Sequence, residues 1–116
     1  MYKINNYTYY GINPLRIFEL CAYDAKSFYG KAKVIECEEG RYLQSYDTLI
    51  CFLSYGGTFE KLWDGYSATT MRHINAFMRF IGCPSLGGKA WWNKLQVWEK
   101  PDKRKQYIIS DLLNTF

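Results

Sequence analysis

One histidine, His73, four cysteines and 11 acidic residues set the limits on the chemistry this chain of 116 residues could run. A serine, threonine or cysteine nucleophile needs a base beside it. His73 is the one histidine that could serve, and its sequence neighbours Thr69, Thr70 and Asn75 do not mark a partnered nucleophile. The bland reading is a histidine at a helix edge. No two acidic residues are spaced in a way that marks general acid–base work. Cys21, Cys37, Cys51 and Cys83 form no C-x-x-C pair, and with a single histidine a zinc-finger or ribbon pattern cannot be assembled. Phosphate-binding glycine loops and the G-x-S-x-G elbow are absent. The expectation is a protein without enzymatic activity, cofactor or metal. Its cysteines should be free thiols, three of them packed as small hydrophobes in apolar stretches.

Residues suited to binding are easier to find. SFYGKAKV, at Ser27 to Val34, sets aromatic beside basic residues, as in surfaces where bases stack on rings and lysines follow phosphates. The bland alternative is a hairpin whose Phe28 is core and whose Tyr29-Gly30 shapes the turn. Thr69, Arg72, His73, Ala76 and Arg79 lie away from an apolar helical stripe, and Arg72 and Arg79 project on the same side. Trp63 and Tyr66 stand just before that helix, where they either flank a binding surface or staple the helix to its support. Trp91 and Trp92 are adjacent, and neighbouring helical residues point about 100° apart, so one face cannot readily bury both. Lys100, Lys103, Arg104 and Lys105 form a basic run that reads as a solvated loop or a phosphate-binding patch.

These residues need elements to position them. Short strand-like runs separated by turns cover Leu15–Tyr23, Phe28–Cys37, Arg41–Ser45, Thr48–Ser54 and Thr58–Trp63, with Asp24–Ser27, Glu38–Gly40 and Tyr55–Gly57 turning the chain. Turns of that length join antiparallel neighbours, so the pattern predicts a β-meander. Ser67 is a good N-cap. Met71, Ile74, Phe77, Met78 and Ile81 follow at helical spacing, and Gly82 and Pro84 end the run. The spacing predicts a helix over 68–81 packed on one face of the sheet. Short elements follow: a helix at Lys89–Leu95, a return along the sheet at Val97-Trp98, a strand at Tyr107–Ser110 and a helix at Asp111–Phe116. The fold class expected is α+β in a single domain over 1–116.

Composition agrees with a packed globule: 48% of residues are hydrophobic and 22% charged. Eleven Tyr, 7 Phe and 4 Trp exceed what a small core needs, so some rings should face a partner. A net charge of +4 is a mild excess. Met1 to Tyr10 is polar and tyrosine-rich, no run approaches the roughly 20 apolar residues of a membrane span, and a cytoplasmic location is expected.

Tyr23-Asp24, SFYGKA at Ser27 to Ala32, SYDT at Ser45 to Thr48 and LWDGYSATTMRHINAF at Leu62 to Phe77 carry a resemblance over roughly residues 23–81. The chain resembles a domain-of-unknown-function family of small proteins carried by phages, plasmids and other mobile elements of Gram-positive bacteria. The resemblance implies no activity. It implies a mobile-element setting, where accessory proteins often bind and block host proteins, defence systems included. The expected function is binding of a host protein or nucleoprotein complex, in its sharpest form by an anti-defence or anti-CRISPR inhibitor. A nucleic-acid-binding accessory domain is the alternative, and no membrane is involved. The contact should draw on Trp63, Tyr66, Thr69, Arg72, His73 and Arg79, with Trp91 and Trp92 next.

Overall fold

Alternating apolar residues and tight turns produce five consecutive strands: β1 (Arg16–Glu19), β2 (Ala32–Glu36), β3 (Gly40–Ser45), β4 (Thr48–Ser54) and β5 (Thr58–Lys61). The computed structural model describes residues 11–21, 28–83 and 88–115. After the strands come α1 (Ala68–Phe80), α2 (Lys89–Lys94), a local ribbon of β6 (Trp98–Lys100) and β7 (Lys103–Arg104), then β8 (Tyr107–Ile108) and α3 (Ile109–Thr115). The main sheet has the order β1-β2-β3-β4-β5-β8, antiparallel throughout. The meander, the principal helix and the short C-terminal helices are those expected from the sequence.

Two segments differ from expectation in where they pair. The run expected from Phe28 begins pairing only at Ala32, because Phe28–Lys31 closes a turn through Lys31 N–H to the Phe28 carbonyl at 3.0 Å. Val97 and Trp98 do not return along the sheet. The strand after α2 folds back on itself at Pro101-Asp102, and β8 takes the open edge of β5 instead. The turn expected at Asp24–Ser27 and the stop at Pro84 lie outside the described residues.

One irregularity sets which side chains face the helix. Between β3 and β4 the register jumps from Leu43↔Cys51 to Gln44↔Leu49, leaving Ile50 as an extra residue. Such a bulge puts two successive side chains on one face. Ile50 and Cys51 therefore both enter the core under α1, while Leu49 and Phe52 belong to a second cluster on the opposite face with Ile12, Ile35 and Cys37. Both faces of the sheet thus bury apolar groups, which explains why Val34 and Ile35 are both fully buried.

The helix α1 is capped at both ends. Ser67 Oγ accepts from Thr70 N–H at 3.0 Å. At the other end Cys83 N–H donates to the Met78 carbonyl (2.8 Å) and Gly82 N–H to that of Arg79 (3.0 Å), with Gly82 at φ +88°: a Schellman motif. The buried residues Thr70, Met71, His73, Ile74, Ala76, Phe77 and Met78 span about 220° of the helix at 100° per residue. That arc is wider than the apolar stripe, so His73 and Ala76, expected at the edge, are inside.

The short helix α2 is held from the sheet by Lys61, whose residue is only 1% exposed. Its Nζ donates to the carbonyls of Trp92 (2.9 Å) and Leu95 (3.1 Å) and sits 4.6 Å from the Trp92 ring centroid. A cation here meets the last carbonyls and the negative end of the helix, sharing the Trp92 carbonyl with Leu95 N–H. Exposed Asp64 stands 3.6 Å away, where solvent weakens its pull. Burial lowers the Lys61 ammonium from its ordinary value. Trp92 Nε1–H donates to the Gly65 carbonyl at 2.8 Å, and a Cβ on Gly65 would overlap the Trp63 ring, so glycine lets that indole lie against the chain. Replacing Lys61 by alanine removes the donor and empties its volume. Lys61→Ala should cost about 3–5 kcal/mol and Lys61→Met clearly less, since the thioether refills the space. Urea denaturation of both variants measures this, and a loss below about 1 kcal/mol for Lys61→Ala would contradict the bracing role.

Candidate functional site

Two tight turns meet at the end of the sheet nearest the start of α1. In Phe28–Lys31, Tyr29 has φ +55° and Gly30 φ +74°, the pattern of a type I′ turn. In Ser45–Thr48, Tyr46 has φ +54° at the first of two turn residues, a place usually held by glycine. The turns are joined by Tyr46 N–H donating to the Lys31 carbonyl at 2.7 Å. A bulky residue in the left-handed region costs about 1–3 kcal/mol, and such residues cluster at functional sites. Both rings face water: Tyr29 is 87% exposed and Tyr46 51%. Lys31 Nζ lies 5.8 Å from the Tyr46 ring centroid, and the Arg72 guanidinium 5.3 Å from that of Phe28. The result is a rim of two held tyrosines with two cations beside them.

Beneath the rim lies a buried polar cluster. His73 Nδ1 and Ser45 Oγ are 2.7 Å apart, and Ser45 Oγ is 3.2 Å from Thr70 Oγ1. Phe28 meets the imidazole edge-on at 4.5 Å, and the Tyr46 ring is 5.9 Å away. Chemically this is a serine–histidine contact, with the partner that the sequence around His73 did not show supplied from 28 positions away. Its residues are sealed, however: Ser45 is 2% and His73 1% exposed. Burial, and next the charge of Arg72, push the His73 imidazole below its ordinary value of 6.5 and keep it neutral. A neutral ring whose Nδ1 accepts a hydrogen bond from the Ser45 hydroxyl, with Ser45 Oγ accepting from the Thr70 hydroxyl, is one arrangement that links the three as a structural network under the two turns.

The residues singled out in the sequence separate into two groups. Thr69, Arg72 and Arg79 are exposed on α1, with the two arginines on one side of it. Arg79 borders a groove with Phe18, Cys21 and Phe80 at the far end of the helix. Tyr66 is partly exposed, with Lys89 Nζ 5.4 Å from its ring centroid. Trp63 is half-buried against the main core, the stapling alternative. His73, Trp91 and Trp92 are buried, which removes them from direct contact with a partner. Both tryptophans fit because α2, at six residues, is covered on two sides: Trp91 packs on Phe59 and Trp92 on Lys61 and Gly65. Phe28 is core and Tyr29-Gly30 shapes the turn, as the hairpin reading of SFYGKAKV expects. Tyr46 carries no mark in the sequence, because backbone strain at a turn has no composition signal.

Among the described residues no three His, Cys, Asp or Glu side chains converge as metal ligands, and no helix is long and apolar enough to cross a membrane. The four cysteines are unpaired. Residues 18–94 match the model of a family of unknown function, DUF8033. The chain belongs to this family. The matched segment is longer than the resemblance at residues 23–81, and it takes in the end of β1 and all of α2 as well as the rim and α1. No curated protein and no solved structure matches the chain.

The neutral state of His73 ties stability to pH. Its folded value lies below 6.5, so below that pH the unfolded chain binds a proton that the folded chain refuses. Stability should therefore be full above about pH 6.5 and fall as the pH drops below it. Glu36, held below its ordinary 4.5 by hydrogen bonds from Arg16 and Arg41, adds its own loss only at lower pH. Urea midpoints between pH 8 and pH 5 should decline for the wild type and stay flatter for His73→Gln. Parallel curves would exclude His73 as the source.

Proposed function

We propose that this chain is a non-enzymatic binding domain that engages a host protein or nucleoprotein complex. The contact surface is the tyrosine rim, extended along α1 by Arg72. The observation that carries the reading is the pair Tyr29 and Tyr46, both exposed and both held in left-handed backbone at adjoining turns. A fold gains nothing in its core from two such residues, whereas rigid, partly exposed tyrosines beside arginine and lysine are the material of interface hot spots. The sealing of Ser45 and His73 supports binding over catalysis. In its sharpest form the protein is an inhibitor carried by a phage or other mobile element, acting in the host cytoplasm on a defence complex. That part rests on the family resemblance alone.

Two substitutions separate surface from scaffold. Tyr46→Asn keeps a residue that tolerates positive φ and removes the ring. It should leave the melting temperature unchanged or raise it. Arg72→Glu with Arg79→Glu should also leave it nearly unchanged, since exposed charges contribute little to stability. Each variant should weaken binding to a partner captured from host lysate and purified at least tenfold, about 1.4 kcal/mol. Intact folding with wild-type affinity in both would remove this surface from the function.

A further inference from the structure

We propose that the β6–β7 hairpin is a separate binding site for single-stranded nucleic acid, with Trp98 as a stacking platform and the surrounding cations following phosphates. The hairpin adds little to the core. Trp98, Glu99 and Lys100 are all exposed, and a two-stranded ribbon by itself is marginal in water. It is anchored at its base by Leu95 and Val97, both buried, and by Lys105 N–H donating to the Val97 carbonyl at 3.0 Å. Of the four tryptophans, Trp91 and Trp92 are buried in the core, Trp63 is partly buried against it, and Trp98 alone is exposed, at 50%. Arg104 lies 4.1 Å from its ring centroid, covering one face and holding the indole in place.

Charge points the same way. Residues 98–105 carry four cations, Lys100, Lys103, Arg104 and Lys105, against Glu99 and Asp102; four minus two is +2, half of the chain's +4. Lys100 and Lys103 face each other across the ribbon, and directly opposed like charges destabilise it. Glu99 answers Lys103 at 3.0 Å, while Lys100 has no ion pair among the described residues. A polyanion relieves that repulsion. An acidic protein would answer the lysines and leave the indole unused. A duplex would answer the lysines with bases already stacked on one another. Unpaired bases on a phosphate chain meet both requirements, and they do so without sequence preference. The hairpin lies outside residues 18–94 and shares no residue with the tyrosine rim, so this site stands or falls independently of that surface.

Fluorescence anisotropy of labelled oligothymidylate and oligouridylate with the full chain tests this. Binding should appear at low salt and weaken as salt rises, with a slope of about −0.7 per phosphate contact. Trp98→Ala should weaken it about tenfold. Lys100→Gln with Lys105→Gln should make the slope shallower by about 1.4, with urea midpoints unchanged or slightly raised as the Lys100–Lys103 repulsion is removed. In the wild type, oligothymidylate should protect the exposed tryptophan from acrylamide quenching, a reading that needs no variant. No binding of either oligonucleotide at low salt would overturn the proposal, as would unchanged binding by both variants. Competition by polyglutamate or by duplex DNA as strong as that by the single strand would overturn it too.

Discussion

The arrangement of the second half of the chain depends on one buried cation. Lys61 ends β5 with its stem in the core and its ammonium against the carbonyls of Trp92 and Leu95. A buried ammonium is tolerated only when its donors are answered. Here the last turn of α2 answers them, and α2 gains the cap that so short a helix lacks the length to do without. With α2 fixed, Trp91 and Trp92 fill the core beside Phe59, and Trp92 ties down the segment at Gly65 that leads to the Ser67 cap of α1. Strand end, loop and two helix termini are thus joined through one side chain and one indole.

That bracing matters for the opposite end of the sheet. α1 lies across the β3 side of the sheet, and its first turns reach the rim, where His73 and Thr70 bond Ser45. Ser45 is the residue before the Tyr46 turn, so the polar cluster fixes the backbone from which that ring projects. Strained turns persist only when the surrounding structure over-determines them. The Ser45–His73–Thr70 cluster, the Tyr46–Lys31 backbone bond and Phe28 against the imidazole supply that constraint. His73 thus holds the backbone of both turns in place from beneath.

The exposed surface divides into regions of different make-up. The rim presents tyrosines over a rigid support. The β6–β7 hairpin presents a tryptophan and lysines on a ribbon with little support beyond its base. Arg16, Glu36 and Arg41 form a third feature, a charge ladder across β1, β2 and β3, with Arg41 also lying 5.4 Å from the Phe80 ring centroid. Its charges answer one another, so it serves the sheet edge and the end of α1.

Sequence alone determined what depends on local pattern. The meander followed from apolar runs broken by tight turns, and α1 from its Ser67 cap, its 3.6-residue apolar spacing and Gly82. Nearest-neighbour geometry dictates each of these. The tertiary structure decided everything that needed two distant segments at once. It brought Ser45 to His73, Lys61 to Trp92 and Leu95, and Phe59 to Trp91. The bulge at Ile50 had no marker in the sequence, since Leu49 to Leu53 is apolar throughout and either phase of alternation fits. Helical spacing describes one helix in isolation, so it puts His73 at a helix edge and divides Trp91 and Trp92 between core and edge, whereas His73, Trp91 and Trp92 are all buried. Their burial depends on how many sides of that helix are covered, and only the packed fold sets that number.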